Sequence, residues 1–221
     1  MGAATGAYSI HYAKQGYDVT AIEPVKRNLD ILKSKITKDM KITPILGNAL
    51  NLSMLEDNTF DIIMCLGPFY HLKTNEERIQ SINEMKRVVK DDGIILIAYI
   101  SHDMIVICER MKYNSHLLVD KTFYNAKEYR LIDEPFTFLT YDDMRKCAKD
   151  NNLTLIEEFA QDGMSELFAD KINEMSDEEY QNWLNYHFYI CQKKELIGFS
   201  NHIAGIYIYK IETSSTKVLS L

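Results

Sequence analysis

The feature that most constrains this chain is a pair of unbroken apolar runs, Asp61-Ile62-Ile63-Met64-Cys65-Leu66 and Ile94-Ile95-Leu96-Ile97-Ala98-Tyr99. A strand with one wet face alternates apolar and polar residues. A run without alternation suits a strand covered on both faces, as in a parallel sheet flanked by helices. Between the runs, Ile79, Ile82, Met85, Val88 and Val89 recur at helical spacing and predict a helix over Glu76 to Val89, with Asp91-Asp92-Gly93 turning into the second run. Upstream, Tyr17 to Ile22 and Lys41 to Leu46 read as strands, separated by a helix carrying Leu29, Leu32 and Ile36. Strands and helices in alternation with short connections predict an α/β fold.

The second half is less regular. His102 to Phe138 is rich in aromatics (Tyr113, Phe123, Tyr124, Tyr129, Phe136, Phe138) and has no clean period. An insertion placed after a strand of a parallel sheet would overhang its carboxyl end, so residues 102–140 are expected to form a helical and aromatic cap. Thr140 is placed to cap a helix over Tyr141 to Asn151, followed by a strand at Thr154 to Phe159. A helix containing Trp183 is expected within Asp177 to Glu195, a last strand over Ile203 to Ile211, and a loose tail over Ser214 to Leu221. The expected organisation is a core over 1–101, the cap over 102–140, and 141–221 returning to the same domain.

Length and charge limit the function. At 221 residues and 25.7 kDa, 46% hydrophobic, the chain can bury a sizeable core as one domain with a cap. Its formal charge of −7, without any run of Lys and Arg, argues against binding to nucleic-acid phosphates and for a small-molecule partner. Cys65, Cys108, Cys147 and Cys191 form no CxxC pair and no zinc-spaced cluster with histidine, so buried free thiols and no metal are expected. Neither a signal peptide nor a membrane span is legible, and a cytoplasmic protein is expected.

Four elements, in order, face one end of such a sheet. Gly2-Ala3-Ala4-Thr5-Gly6 leads into a helix over Ala7 to Gln15, offering close backbone approach and a helix N-terminus to a negative group. Glu23 ends the next strand, where a carboxylate can accept from both ribose hydroxyls of a nucleoside. Asn48-Ala49 follows the next strand, where a side-chain carbonyl can accept from an adenine amino group. Leu66-Gly67-Pro68-Phe69-Tyr70-His71 leaves the first apolar run into the same crevice.

This ordered set resembles class I S-adenosylmethionine-dependent methyltransferases, whose motifs match Gly2, Ala4, Gly6, Glu23, Asn48-Ala49 and Asp61. The stretch Gly67-Pro68-Phe69-Tyr70-His71-Leu72 is similar to a Gly-Pro-Leu-Tyr-His-Leu signature in a bacterial branch acting on small molecules. Glu195 to His202, running into the last strand, resembles the same branch. The resemblance implies a Rossmann-like seven-stranded sheet, helices on both faces and an antiparallel last strand. It also implies methyl transfer, with S-adenosylmethionine held by Gly2, Ala4, Gly6, Glu23, Asn48, Ala49 and Leu66. Three departures stand out: Ala4 for the middle glycine, Asn48 for an acid, and no strand before the glycine loop. The family's first strand is central, so Met1 is expected to be an internal methionine of a longer natural chain. Its loss would expose two rows of unpaired backbone groups.

Displacement of a methyl group from a sulfonium needs no acid for the leaving thioether, so proximity and exclusion of water can do most of the work. A base is required only where the acceptor starts protonated. This accounts for clear cofactor residues beside no clear catalytic residue; Tyr70, His71 and His102 are the substrate-side candidates. Each has a plainer reading. Tyr70 and His71 can stack on the next helix, Asn48 can be a turn residue, and His202 can hold the last strand by a hydrogen bond. Two other functions compete. A nicotinamide-dependent oxidoreductase would also use Glu23, but the loop is Gly-x-Ala-x-Gly, not Gly-x-Gly-x-x-Gly. A truncated, non-catalytic binding protein is the other.

Overall fold

The structure, a computed structural model, describes residues 1–132 and 135–209; the end of the expected last strand and the tail lie outside the described residues. Helix α1 (Ala7–Lys14) precedes strand β1 (Val19–Glu23), α2 (Lys26–Lys35), β2 (Ile42–Leu46) and β3 (Phe60–Cys65). A 3-10 turn at Pro68–His71 leads to α3 (Asn75–Val88), and β4 (Val89–Ser101) follows directly. The expected turn at Asp91-Asp92-Gly93 is a bulge inside β4, because the register jumps from Phe60↔Val89 to Ile62↔Ile94.

A short helix α4 (His102–Ile105) continues as a π-type helix to Tyr113, and a small hairpin, β5 (Tyr124–Asn125) with β6 (Arg130–Leu131), follows. The chain then rejoins the sheet at β7 (Phe138–Leu139), parallel to the end of β4. Next come α5 (Tyr141–Asp150), β8 (Leu153–Ala160), α6 (Ala169–Asn173), α7 (Asp177–Cys191) and β9 (His202–Tyr209). Thr140 caps α5 as its position implies: it accepts from the Asp143 N–H while the Asp143 side chain accepts from the Thr140 N–H. Thr74 with Glu77 and Ser176 with Glu179 do the same for α3 and α7.

The strands run β3-β4-β9-β8 in one sheet, with β9 antiparallel to both neighbours, and β1-β2 form a separate parallel pair. The antiparallel last strand agrees with the expected topology. Helices cover both faces, as the apolar runs require. Ala21 joins Leu29 and Leu32 under α1 and α2, whereas the next residue, Ile22, joins Ile63, Ile95, Met85 and Tyr99 in the main core. All four cysteines are buried and free. No helix among the described residues is long and apolar enough to cross a membrane.

Among the described residues no strand lies between β1 and β3, where the sheet is interrupted. Residues 1–3 bridge the interruption at its upper end. The Met1 amino nitrogen donates to the Met64 carbonyl at 2.6 Å, and the Ala3 N–H donates to the Ile22 carbonyl at 3.0 Å. Below this bridge Ile62 is 49% exposed, unusual for the middle of a buried strand. Among the described residues, amides of β1 and β3 that face the interruption have no ladder partner and so should open at little cost. Hydrogen exchange is therefore expected to be orders of magnitude faster at alternate amides of β1 and β3 than in β4 and β9. Uniform protection across all four strands would show the interruption to be closed in solution.

Candidate active site

The Gly-rich loop is shaped by left-handed backbone. Gly2 has φ 67°, Ala4 47° and Gly6 91°. Glycine takes this region without penalty, whereas Ala4 carries a Cβ into it. The Gly6 N–H donates to the Ala3 carbonyl at 2.9 Å, closing the turn, and Gly6 is the residue from which α1 starts. Gly6 offers no side-chain cap, so the first-turn amides of α1 are of the kind that favour an anionic group.

Glu23 ends β1 beneath this loop and is 4% exposed. Its Oε2 accepts the Ala4 N–H at 2.7 Å, and its Oε1 accepts the Val25 N–H at 3.1 Å and the Asn28 amide at 3.2 Å. The carboxylate thus ties the loop to the strand, using three of its roughly four acceptor positions. A ribose hydroxyl has one position left on Oε2, and a second hydroxyl would have to replace a protein donor.

The third wall is Gly67-Pro68. A Cβ placed on Gly2 would meet the Pro68 ring at 2.8 Å, and one on Gly67 would lie 3.7 Å from the Gly2 carbonyl. The two glycine-bearing turns touch, and the Tyr70 hydroxyl reaches the same place, 3.6 Å from that Gly67 position. Burial, helped by the Cys65 thiol beneath it, raises the Tyr70 phenol above its ordinary value, so it remains a donor at neutral pH. Leu66 is half-buried at the turn into this wall. Asn48 is exposed and its Oδ1 accepts the Leu50 N–H at 2.9 Å, a turn in which one lone pair stays open; Ala49 beside it is buried.

The substrate-side candidates separate. Tyr70 packs edge-on against Phe136 at 5.9 Å and His202 at 6.0 Å, while the exposed His71 tilts against Phe136 at 5.2 Å. The segment around Thr137 is fastened to this turn, since the Thr137 N–H donates to the Tyr70 carbonyl at 2.8 Å and the Thr137 hydroxyl to the Leu72 carbonyl at 3.0 Å. His102 is buried, with both ring nitrogens engaged. Nδ1 faces Asp103 at 2.9 Å and Nε2 accepts the Leu131 N–H at 3.2 Å. In this geometry His102 anchors the β5–β6 hairpin and has no lone pair for a substrate proton.

A cavity of about 460 Å³ opens under that hairpin, lined by Lys73, His102, Arg130 and Phe136 among others. A larger hollow of about 700 Å³ lies between α3 and the 50–53 loop, and its lining includes none of Gly2, Glu23, Gly67 or Tyr70. Sequence reasoning missed Asp162 as a partner of His202 and Phe136 as a partner of Tyr70. The available signal was positional: Asp162 follows the end of β8 and His202 begins β9, so both sit at the same end of the sheet.

Parts of the chain are similar to known proteins. Residues 1–97 match the family model described as a methyltransferase domain. Over 104 residues the chain is 27% identical to a glycine/sarcosine N-methyltransferase of Aphanothece halophytica, covering 46% of this chain and 39% of that protein. It is 32% identical over 98 residues to an uncharacterized methyltransferase of Alkaliphilus oremlandii, covering 44% and 43% of the two. The chain thus spans about two-fifths of the length of the curated relatives it matches. A crystal structure of an S-adenosylmethionine-dependent methyltransferase from Methanosarcina mazei superposes with a TM-score of 0.63 at 14% identity, covering 96% of this chain and 91% of that one. The chain therefore carries the Rossmann-like fold of S-adenosylmethionine-dependent methyltransferases, and its N-terminal part, residues 1–97, matches their methyltransferase domain.

Proposed function

We propose that this chain is an S-adenosylmethionine-dependent methyltransferase acting on a small molecule. The observation that carries the reading is the convergence of the Gly2–Gly6 loop, Glu23 and Gly67-Pro68 at the carboxyl ends of the parallel strands, locked by the Ala4 to Glu23 hydrogen bond. The residues fit the cofactor in kind. The left-handed loop brings bare backbone to the crevice, and Glu23 supplies a carboxylate for a ribose. Asn48, Ala49 and Leu66 edge the space for an adenine. Bound S-adenosylmethionine supplies a methyl group on a sulfonium. The chain's residues orient it and exclude water, with Tyr70 and His71 on the acceptor side under the Phe136 edge of the cap.

The acidic charge of −7 supports a small acceptor, and the glycine/sarcosine N-methyltransferase among the relatives makes amines reasonable first candidates. The Gly67 to Leu72 stretch supports a place in the bacterial small-molecule branch, and a cytoplasmic setting accords with four free thiols. Calorimetric titration with S-adenosylhomocysteine tests the reading. One saturable site per chain is expected. A folded chain that shows no heat of binding, while taking up a nicotinamide nucleotide, would replace this reading with the oxidoreductase one.

A further inference from the structure

One hydrogen-bonded pair at the mouth of the crevice is used by nothing described so far. His202 opens β9 opposite Ile100 at the end of β4, and Asp162 follows β8. The His202 Nδ1 lies 2.7 Å from Asp162 Oδ2, and the His202 backbone N–H donates to Oδ1 at 3.0 Å. The Ser200 hydroxyl, fully buried, has its one proton between this carboxylate and the His202 carbonyl at 2.6 Å, and the Gly163 N–H donates to Ser200 Oγ at 3.0 Å. Burial works against the charge on Asp162, but the bonds from His202 and Ser200 outweigh it and hold its carboxyl below the ordinary range. An ionised carboxylate only accepts, so Nδ1 of His202 must carry the proton. In its neutral form the ring therefore has its lone pair on Nε2, which has no hydrogen-bond partner among the described residues.

The ring is placed to use that lone pair. Its side chain is 41% exposed, although Ile203 and Ala204 beside it are buried. It stands against Tyr70, whose hydroxyl borders Gly67 and, through it, Gly2. One aromatic ring therefore separates His202 from the glycine loop. The backbone N–H bond to the Asp162 carboxylate anchors the strand end, and the second bond, to Nδ1, additionally fixes the orientation of the ring.

We propose that His202, oriented by Asp162, is the general base that removes the proton from the methyl acceptor. The inference rests on the methyltransferase reading and narrows its substrate class to small molecules bearing an ammonium or hydroxyl at the methylated atom. In the step, an ammonium acceptor would first give a proton to His202 Nε2 and so gain a lone pair, whereas a hydroxyl would give up its proton as it attacks. The lone pair would form the new bond to the methyl carbon as the sulfur–carbon bond breaks, the electron pair staying on sulfur. The imidazolium would return the proton to solvent through its exposed edge. For a hydroxyl the sulfonium charge thus passes to the imidazolium, and for an ammonium it passes to the methylated nitrogen. Asp162 is a positioning residue: it sets the tautomer and stabilises the imidazolium.

The test needs no acceptor. Histidine-labelled protein is titrated by NMR in complex with S-adenosylhomocysteine and with S-adenosylmethionine, and His202 is assigned by its loss in His202→Gln. The groups facing the ring, Asp162 and Tyr70, are the same in both complexes, so the difference reports the sulfonium charge alone. A nearby cation disfavours a second one, so the His202 midpoint is expected to fall by about half a pH unit or more in the sulfonium complex. Equal midpoints would place the ring too far from the methyl group and overturn the proposal. Failure of both ligands to bind would instead remove the methyltransferase reading on which it rests.

Discussion

Substituting alanine for Gly6 is expected to destabilise the protein by about 3 kcal/mol and to abolish S-adenosylhomocysteine binding. Two costs add. Gly6 has φ 91°, where an L side chain is strained by about 1–2 kcal/mol. A Cβ there would also lie 2.3 Å from Cδ1 of Leu32, a fully buried residue of α2 packed in the core beneath the loop. Overpacking of this kind costs about 1–3 kcal/mol, because a filled site has nowhere to send the displaced atoms. For a chain of this size the melting temperature should fall by roughly 6–12 °C. Gly16→Ala is the matched control, since Gly16 shares φ 91° but has nothing within 4 Å of its Cβ position. The two variants melting together would show that strain alone matters and that the contact with Leu32 relaxes.

Glu23→Ala is expected to lower affinity for S-adenosylhomocysteine on the order of 100-fold. Part of this is the lost ribose acceptor, and part is loss of the loop itself. Without the carboxylate the Ala4 and Val25 N–H groups lose their acceptor beneath the loop, at about 1–3 kcal/mol each where water cannot reach them. Ala4 and Val25 are exposed residues whose N–H groups water can partly reach, so stability is expected to fall by about 1–2 kcal/mol. Glu23→Gln separates the two parts. It keeps one acceptor oxygen and nearly the same volume, so it should melt closer to wild type yet still bind weakly. A folded Glu23→Ala protein that binds within threefold of wild type would end the ribose assignment.

Much of the fold is local and was therefore legible. The apolar runs at Ile62 to Leu66 and Ile94 to Tyr99 announce strands covered on both faces, and periodicity encodes which side of an element is dry. Thr140 announces the start of α5 because a capping hydroxyl acts within one turn. Glycine at positions 2 and 6 announces left-handed backbone for the same local reason. The order of loop, acid and Gly67-Pro68 along the chain led to one candidate crevice, because connections between parallel strands deliver their motifs to one end of the sheet.

What only the tertiary structure decided is which side chains keep a free atom. His102 and His202 are alike in sequence terms, each beside a strand end. Yet His102 is spent on Asp103 and the Leu131 amide, while His202 is held by Asp162 with Nε2 open. Glu23 reads as a ribose ligand, but the fold first spends it on the glycine loop. The interruption between β1 and β3, bridged by Met1 and Ala3, likewise depends on contacts to Met64 and Ile22 across the sheet. Hydrophobic periodicity records burial one residue at a time. Hydrogen-bond partnership between residues 40 positions apart, as for Asp162 and His202, is set only when distant strand ends meet in one register.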